Sequence, residues 1–448
     1  MIKLKLDLLL TILFSVLFVP FFIFIIFWLN TYASVLIGSL LIYFLIIFLK
    51  QRNNIELVEI SRLNFLLLFL VNCFIVYCCG IGGFTEQKFD LHLRSNLVWS
   101  HLISYDWPVV IPQNHSNYNH FSYYLGYFLP VSLIVKIFGL TKSIGIIEFF
   151  WVLLILQITT LVLFVKEKLN FKVLLILLPN GFYWLIDKFV FHHLVPLRFF
   201  SFFTNLAHGP QQVLSALILI VFFQWMKKNN DFTWMFFISA LSFFWSPFVT
   251  LGIVLIYILP NITQSNIFTL LNFSSLFFGI IIILFYSDKQ INYHFSVLSK
   301  NISWDRYMFF WLIDLVIFPL ILWKNFTADK KRQIIYIIGI LVLLSMVNFG
   351  KYNDLMTKVS VPVLLVYFLI IIQHIPNKKI WIYSSFILIF SLSSIKLCLN
   401  LPFKGNENYE VINSFKDKTF SDLVNDPEVN SQYYSNKNSI FNRYFLSK

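Results

Sequence analysis

The residues best equipped for chemistry gather in one stretch, Phe89 to Pro130, FDLHLRSNLVWSHLISYDWPVVIPQNHSNYNHFSYYLGYFLP. It carries Asp90, Asp106, Arg94 and four histidines. Asp90 and Arg94 are one helical turn apart and share a helix side. A carboxylate there can accept a proton, or can cap the helix by accepting a backbone N–H. A guanidinium can fork onto a phosphate, or can pair with Asp90 alone. Arg198, in HHLVPLRFFSFFTNLAHGPQQ, offers a second fork or snorkels from an apolar loop, with His208 close to the next span. Lys351, Asn353 and Asp354, in GKYNDLMTK, are either ligand donors or turn residues, since Asn-Asp favours turns. The histidines show no HxxxH or HxH spacing. A divalent metal therefore has weak support, and no cofactor is expected.

The elements that must position these groups are set by composition. Of 448 residues, 58% are hydrophobic and 12% charged; mean hydropathy is +0.77. A soluble domain carries about 25% charged residues. Apolar runs recur near 8–29, 32–49, 63–84, 121–140, 144–165, 173–187, 211–226, 233–260, 267–286, 308–323, 334–349, 360–373 and 380–399. Most approach the length a bilayer span needs. The fold class is therefore all-α, a polytopic membrane helix bundle. The first run is too long for a signal-peptide core and lacks a small-residue cleavage site, so it reads as an uncleaved span. Cys73, Cys78, Cys79 and Cys398 lie in or beside apolar segments and read as small hydrophobes. The net charge of +13 does not signal nucleic acid, because the basic residues sit in short clusters between apolar runs.

Those clusters are Lys50/Arg52, Lys166/Lys168/Lys172, Lys227/Lys228, Lys330/Lys331/Arg332 and Lys378/Lys379. The positive-inside rule puts them in the cytoplasm with Lys3 and Lys5. Two adjustments make the count consistent. Segment 121–140, with Gly126, Pro130 and Lys136, does not cross; segment 233–260 breaks into two short passes at Ser246-Pro247. About twelve or thirteen crossings result. Intervals 85–120, 188–210, 287–307, 350–359 and 400–448 then share the outer face, with eight of nine histidines. In the first of these, Leu91, Leu93, Leu97, Val98, Leu102 and Ile103 have near-helical spacing. A short amphipathic surface helix is expected, opened by Asp90 and stopped by Pro108. The tail is expected to fold against the outer loops through Tyr433, Tyr434, Tyr444 and Phe445. Glu148 and Asp314, inside spans, and Lys136 are costly there and are expected to pair or to mark a pathway.

The order of features from Asp90 onward resembles a known family. A span is followed by an acidic residue, a surface helix, DWPVVIP, a Tyr-rich YYLGYFLP, KIFGL, and a long apolar helix ending in Lys. This is similar to the first outer loop of the C-type glycosyltransferase superfamily, polytopic enzymes that use polyprenyl-phosphate-linked sugars. The resemblance implies that Asp90 is the catalytic base, that Trp107 to Pro112 is the family's W-x-x-P stretch, and that Phe138-Gly139 closes its aromatic segment. Leu91-His92 stands where many members have a second acidic residue, and YYLGYFLP replaces a double proline. LAHGPQQVLSALILIVFFQW, LSFFWSPFVTLG and FGKYNDLMTKVSVPVLL resemble segments of uncharacterised bacterial multispanning proteins of this kind.

The implied chain has N-terminal transmembrane helices at 1–84, an outer-face loop with interfacial helices at 85–140, a transmembrane bundle at 141–399 and a polar tail at 400–448. The implied activity moves a sugar from a polyprenyl-linked donor to a glycan, lipid or protein acceptor. The implied place is the bacterial cytoplasmic membrane, in cell-surface polysaccharide assembly. Asp90 would take the proton. Arg94, Arg198, His208, Lys351, Asn353 and Asp354 would bind substrate. A repeat-unit polymerase is the alternative, and a transporter or flippase of lipid-linked glycans a further one. The topology has a direct test in a chain freed of its native cysteines. Lys168→Cys, Lys228→Cys and Lys331→Cys are expected to be shielded from an impermeant thiol reagent in intact cells, while His115→Cys, Asn205→Cys and Ser296→Cys react. Labelling of position 168 from outside would mean that 121–140 crosses.

Overall fold

The structure is a computed structural model that describes residues 1–51, 56–88, 90–111, 118–166, 199–261, 269–287, 295–297, 302–349, 353–376, 408–416, 418–419, 422–423, 433–436 and 438–447. The expected apolar segments 173–187 and 380–399 lie outside these residues, as do Arg198 and Lys351. The rest is mostly helical. Among the described residues, six helices are long and apolar enough to cross a bilayer: Leu6–Trp28, Thr31–Lys50, Thr141–Phe164, Leu270–Ser287, Trp304–Asn325 and Leu355–Gln373. Hydrocarbon cannot satisfy backbone N–H and C=O groups, so such runs close their hydrogen bonds internally as helices. Their outward residues are apolar too: Leu276, Ile280 and Ile283 are each about half exposed along one side of Leu270–Ser287. This is the surface of a multi-pass membrane protein.

The first helix is the hub. Leu6–Trp28 packs on Thr31–Lys50, Leu129–Phe138, Ile144–Lys166 and Met235–Phe243. Its aromatic side chains interlock, with Phe14 stacked 3.8 Å from Phe48 and Phe24 4.9 Å from both Phe244 and Phe285. Buried polar side chains tie neighbouring helices. Asn72 Nδ2 donates to Gln157 Oε1 at 2.7 Å and to Thr160 Oγ1 at 3.0 Å, joining Arg62–Cys78 to Ile144–Lys166.

Two segments behave as their composition dictates. Leu129–Phe138 is a helix of only ten residues, about 15 Å of rise, half the hydrocarbon thickness. The long run after Phe232 breaks at Ser246, whose backbone is extended and whose Oγ accepts from Val249 N at 3.5 Å. Pro247 takes the first helical position, where its missing N–H costs nothing. Before the break, Met235–Phe243 packs on Leu270–Ser287; after it, Pro247–Ile253 packs on Ser360–Gln373.

The two ends of the bundle differ. At one end, Ile2–Lys5 pairs antiparallel with Leu57–Ile60, Lys3 meets Glu59 at 2.9 Å, and Lys228 meets Glu56 at 2.8 Å. At the other, Tyr118–Phe121 pairs with Tyr434–Asn436, and Phe295–Val297 with Val347–Phe349. The tail closes that second end. Leu29 bridges Leu446, and Asn30 N donates to Phe445 O at 2.7 Å.

Two expectations are corrected here. The segment opened by Asp90 is not a half-exposed surface helix. It starts as a π-helix, Asp90–Ser95, and continues as Asn96–Ser104 with every residue from Asn96 to Leu102 buried. The apolar stripe faces the bundle, and the tail covers the rest through Asn408–Ser414. Tyr433 and Tyr434 are buried anchors, but Tyr444 is 63% exposed. Phe441 fills the expected anchor place, buried between Phe24 and Phe285.

Gly252 gives the fold its test. A Cβ there would strike the Val359 carbonyl and Pro362, where two helices touch. Gly252→Ala is expected to lower stability by about 1–3 kcal/mol, the scale of overpacking. Gly279→Ala, with nothing within 4 Å of its Cβ, should not destabilise. Melting temperatures of the two variants in one detergent check this.

Candidate functional site

The helix start at Asp90 places its carboxylate beside Arg94. Arg94 Nη2 lies 3.3 Å from Asp90 Oδ1, an i,i+4 pair. The two side chains are 14% and 29% exposed, the arginine being the deeper. The same guanidinium lies in the field of Asp354, which the sequence separates from it by a large part of the bundle. Asp354 in turn pairs with Lys358 at 2.7 Å, again i,i+4, at the start of Leu355–Gln373. Two carboxylates and two cations thus converge from opposite halves of the chain.

Tyrosines complete the enclosure. Arg94 hydrogen-bonds the phenols of Tyr123 and Tyr433. The two rings stack at 4.9 Å, and Ser122 N donates to Tyr433 O at 2.7 Å. Burial opposes the charge on Arg94, but Tyr433, Tyr123, Asp90 and Asp354 hold its pKa well above the usual guanidinium range. Burial also pushes both phenols up, against the pull of Arg94. Arg94 Nε is buried without a hydrogen-bond partner. A buried donor left unmade is costly, and a ligand oxygen is one way to satisfy it.

The turn before Lys358 also carries the site. Asn353 is left-handed, with φ of 50°. Its Oδ1 accepts from Met356 N at 3.3 Å, and its carbonyl from Thr357 N at 3.0 Å. Asn353 therefore does turn work, and that turn aims Asp354 inward. Lys358 also lies 5.2 Å above the Phe248 ring, just past the Ser246-Pro247 break. His208 is engaged elsewhere: its Nδ1 is 3.0 Å from Thr204 O, and its ring stacks on Phe200.

Of the expected site residues, the structure brings together Asp90, Arg94 and Asp354. Tyr123, Tyr433 and Lys358 join them unforeseen. The i,i+4 spacing of Asp354 and Lys358 could have found the lysine. No local spacing points to the tyrosines. Among the described residues, no group of three or more His, Cys, Asp or Glu is placed to hold a metal ion.

The buried Glu148 and the half-buried Lys136 do not pair with each other. Glu148 Oε1 accepts from Tyr127 Oη at 2.8 Å, and Oε2 from Gly82 N at 3.3 Å. Lys136 donates to the carbonyls of Leu102 and Tyr105 and lies 5.1 Å from the Trp107 ring. It fastens the end of Asn96–Ser104 to Leu129–Phe138. Asp314 is 7% exposed, within the π-helix Leu312–Val316.

Compared with known proteins, the chain matches no family model, no curated protein and no solved structure. The reading of the site therefore rests on its own geometry.

His101 supplies a pH handle on the enclosure. It is fully buried, and its Nε2 is 2.9 Å from Lys418 O of the tail. Burial pushes its pKa down to about 4, partly offset by that carbonyl. An opened state in which His101 reaches water takes up the proton near 6.5, so the closed state loses stability as pH falls from 6.5 towards 4. The full loss is about 3 kcal/mol. Limited proteolysis of the tail is expected to accelerate over that window. His101→Phe, which cannot be protonated, should flatten the profile; an unchanged profile would place the pH response elsewhere.

Proposed function

We propose that the protein is an integral membrane glycosyltransferase that moves a sugar from a polyprenyl-linked donor to a glycan, lipid or protein acceptor. One observation carries the reading: Asp90–Arg94 and Asp354–Lys358 converge at one end of an apolar bundle. Transfer from a lipid phosphate needs a proton acceptor, cations for a departing phosphate and an apolar path for the lipid. The cluster offers the first two, and the exposed apolar sides of the spans offer surface for the third.

In the proposed step, the acceptor hydroxyl oxygen bonds to the anomeric carbon. The bond from that carbon to the phosphate oxygen breaks, and its electron pair leaves with the phosphate. The hydroxyl proton passes to Asp90. Arg94 holds the phosphate oxygens, with Lys358 as a second cation. Tyr123 and Tyr433 position Arg94 by accepting from its guanidinium. Asp354 keeps Lys358 oriented. The prenyl chain runs along apolar helix surface.

Asp90→Asn keeps size and capping ability while removing the proton acceptor. Transfer of a labelled sugar from a polyprenyl-phosphate donor, normalised to folded protein in the membrane, is expected to fall roughly 100-fold or more. Asp106→Asn, at an exposed position in the same segment, should be mild. Normal transfer by Asp90→Asn, with a lowered melting temperature, would make the cluster a structural lock. Product length separates the transferase from a repeat-unit polymerase: one added sugar against a ladder.

A further inference from the structure

A second feature lies at the opposite end of the bundle and is independent of the transferase reading. Helix Leu355–Gln373 has Asp354 at its start and Gln373 at its last turn. Gln373 lines a cavity of about 560 Å³ between four helix ends. Lys227 and Lys228 reach it from the end of Pro210–Asn229, and Lys330 and Arg332 from the start of Ala328–Met346. Its wall is apolar, with Tyr257 and Ile370 among the lining side chains.

Among the described residues the charge in this cavity is one-sided: its lining holds four cations and no carboxylate. Among the described acids, Glu56 pairs with Lys228 at 2.8 Å, and Asp329 lies 4.0 Å from a highly exposed Arg332. Lys330 donates to Gln333 Oε1 at 3.2 Å, a neutral partner that leaves its charge uncompensated. One side of the cavity also meets lipid-facing surface. Tyr336 lines it and is 42% exposed, next to Ile335 at 58%.

We propose that this cavity binds an anionic phospholipid of the surrounding bilayer. The lipid phosphate sits among Lys227, Lys228, Lys330 and Arg332, and an acyl chain follows the wall by Tyr336 and Ile370. A soluble anion would use the cations and leave the apolar wall idle. A zwitterionic lipid would use the wall and meet a net positive rim. An anionic lipid uses both, in the manner of basic pockets between membrane helices.

The full-length protein, delipidated in neutral detergent, is titrated with phosphatidylglycerol, phosphatidylcholine and inorganic phosphate, and bound lipid is counted by native mass spectrometry. Phosphatidylglycerol should bind at least tenfold tighter than phosphatidylcholine and resist millimolar phosphate. The double variant Lys330→Gln with Arg332→Gln should lose roughly 30-fold in phosphatidylglycerol affinity, about fivefold per cation. Lys331→Gln is the control for diffuse charge, because Lys331 lies over the Trp323 ring and is not part of the lining. It should change binding little. Equal affinity for the two lipids, displacement by phosphate, or a loss per charge from Lys331→Gln equal to that of the double variant would each overturn the proposal.

Discussion

A guanidinium enclosed at the end of an apolar bundle must be matched by acceptors, because its desolvation is otherwise uncompensated. Arg94 meets that demand with partners from three distant places in the chain. Asp90 is local. Tyr123 follows the buried helix, and Asp354 and Tyr433 come from the far half and the tail. Each partner brings a backbone element with it. The Tyr118–Phe121 and Tyr434–Asn436 pairing, the left-handed turn at Asn353 and the buried course of Asn96–Leu102 all serve this convergence. The same pairs that hold the end of the bundle together also hold the groups proposed to carry the transfer.

Elsewhere the bundle follows the same rule with neutral groups. Asn72 donates across to Gln157 and Thr160 of the neighbouring helix, and Glu148 is met by Tyr127 and Gly82. Other buried hydroxyls bond back along their own helix, as Thr159 does to Ile155 O and Ser215 to Gln211 O. Aromatic side chains pack closely around Leu6–Trp28. The other end contrasts with this: among the described residues Lys227, Lys228, Lys330 and Arg332 line one cavity with no carboxylate in its wall.

Much of this was legible in the residue order, where the cause is local. Apolar runs long enough for a bilayer became helices at Leu6–Trp28, Thr31–Lys50 and Leu270–Ser287 because hydrocarbon leaves the backbone no other solution. Ser246-Pro247 broke its run because proline cannot donate and serine can cap. Asp90 with Arg94 followed from i,i+4 spacing. What stayed hidden is non-local. The amphipathic stripe of Asn96–Ser104 says which side is apolar, not that a tail some 300 residues later will bury the other. Tyr433 has no neighbour in sequence that points to Arg94. Tyr444 and Phe441 are both aromatic residues of one short helix, and only the packing of that helix decides which turns inward.

The tail strand has a consequence for the order in which the molecule is made. Tyr434–Asn436 supplies the partner strand for Tyr118–Phe121, and Tyr433 supplies an acceptor for Arg94. A ribosome delivers the earlier helices to the membrane long before these residues leave its tunnel. During that interval Arg94 and the edge of Tyr118–Phe121 lack their final partners. The cluster is therefore a late product of synthesis, completed after insertion of the bundle. A nascent chain would hold its helices in place while this end stays open, and the cluster would come into register only once Tyr433 has emerged.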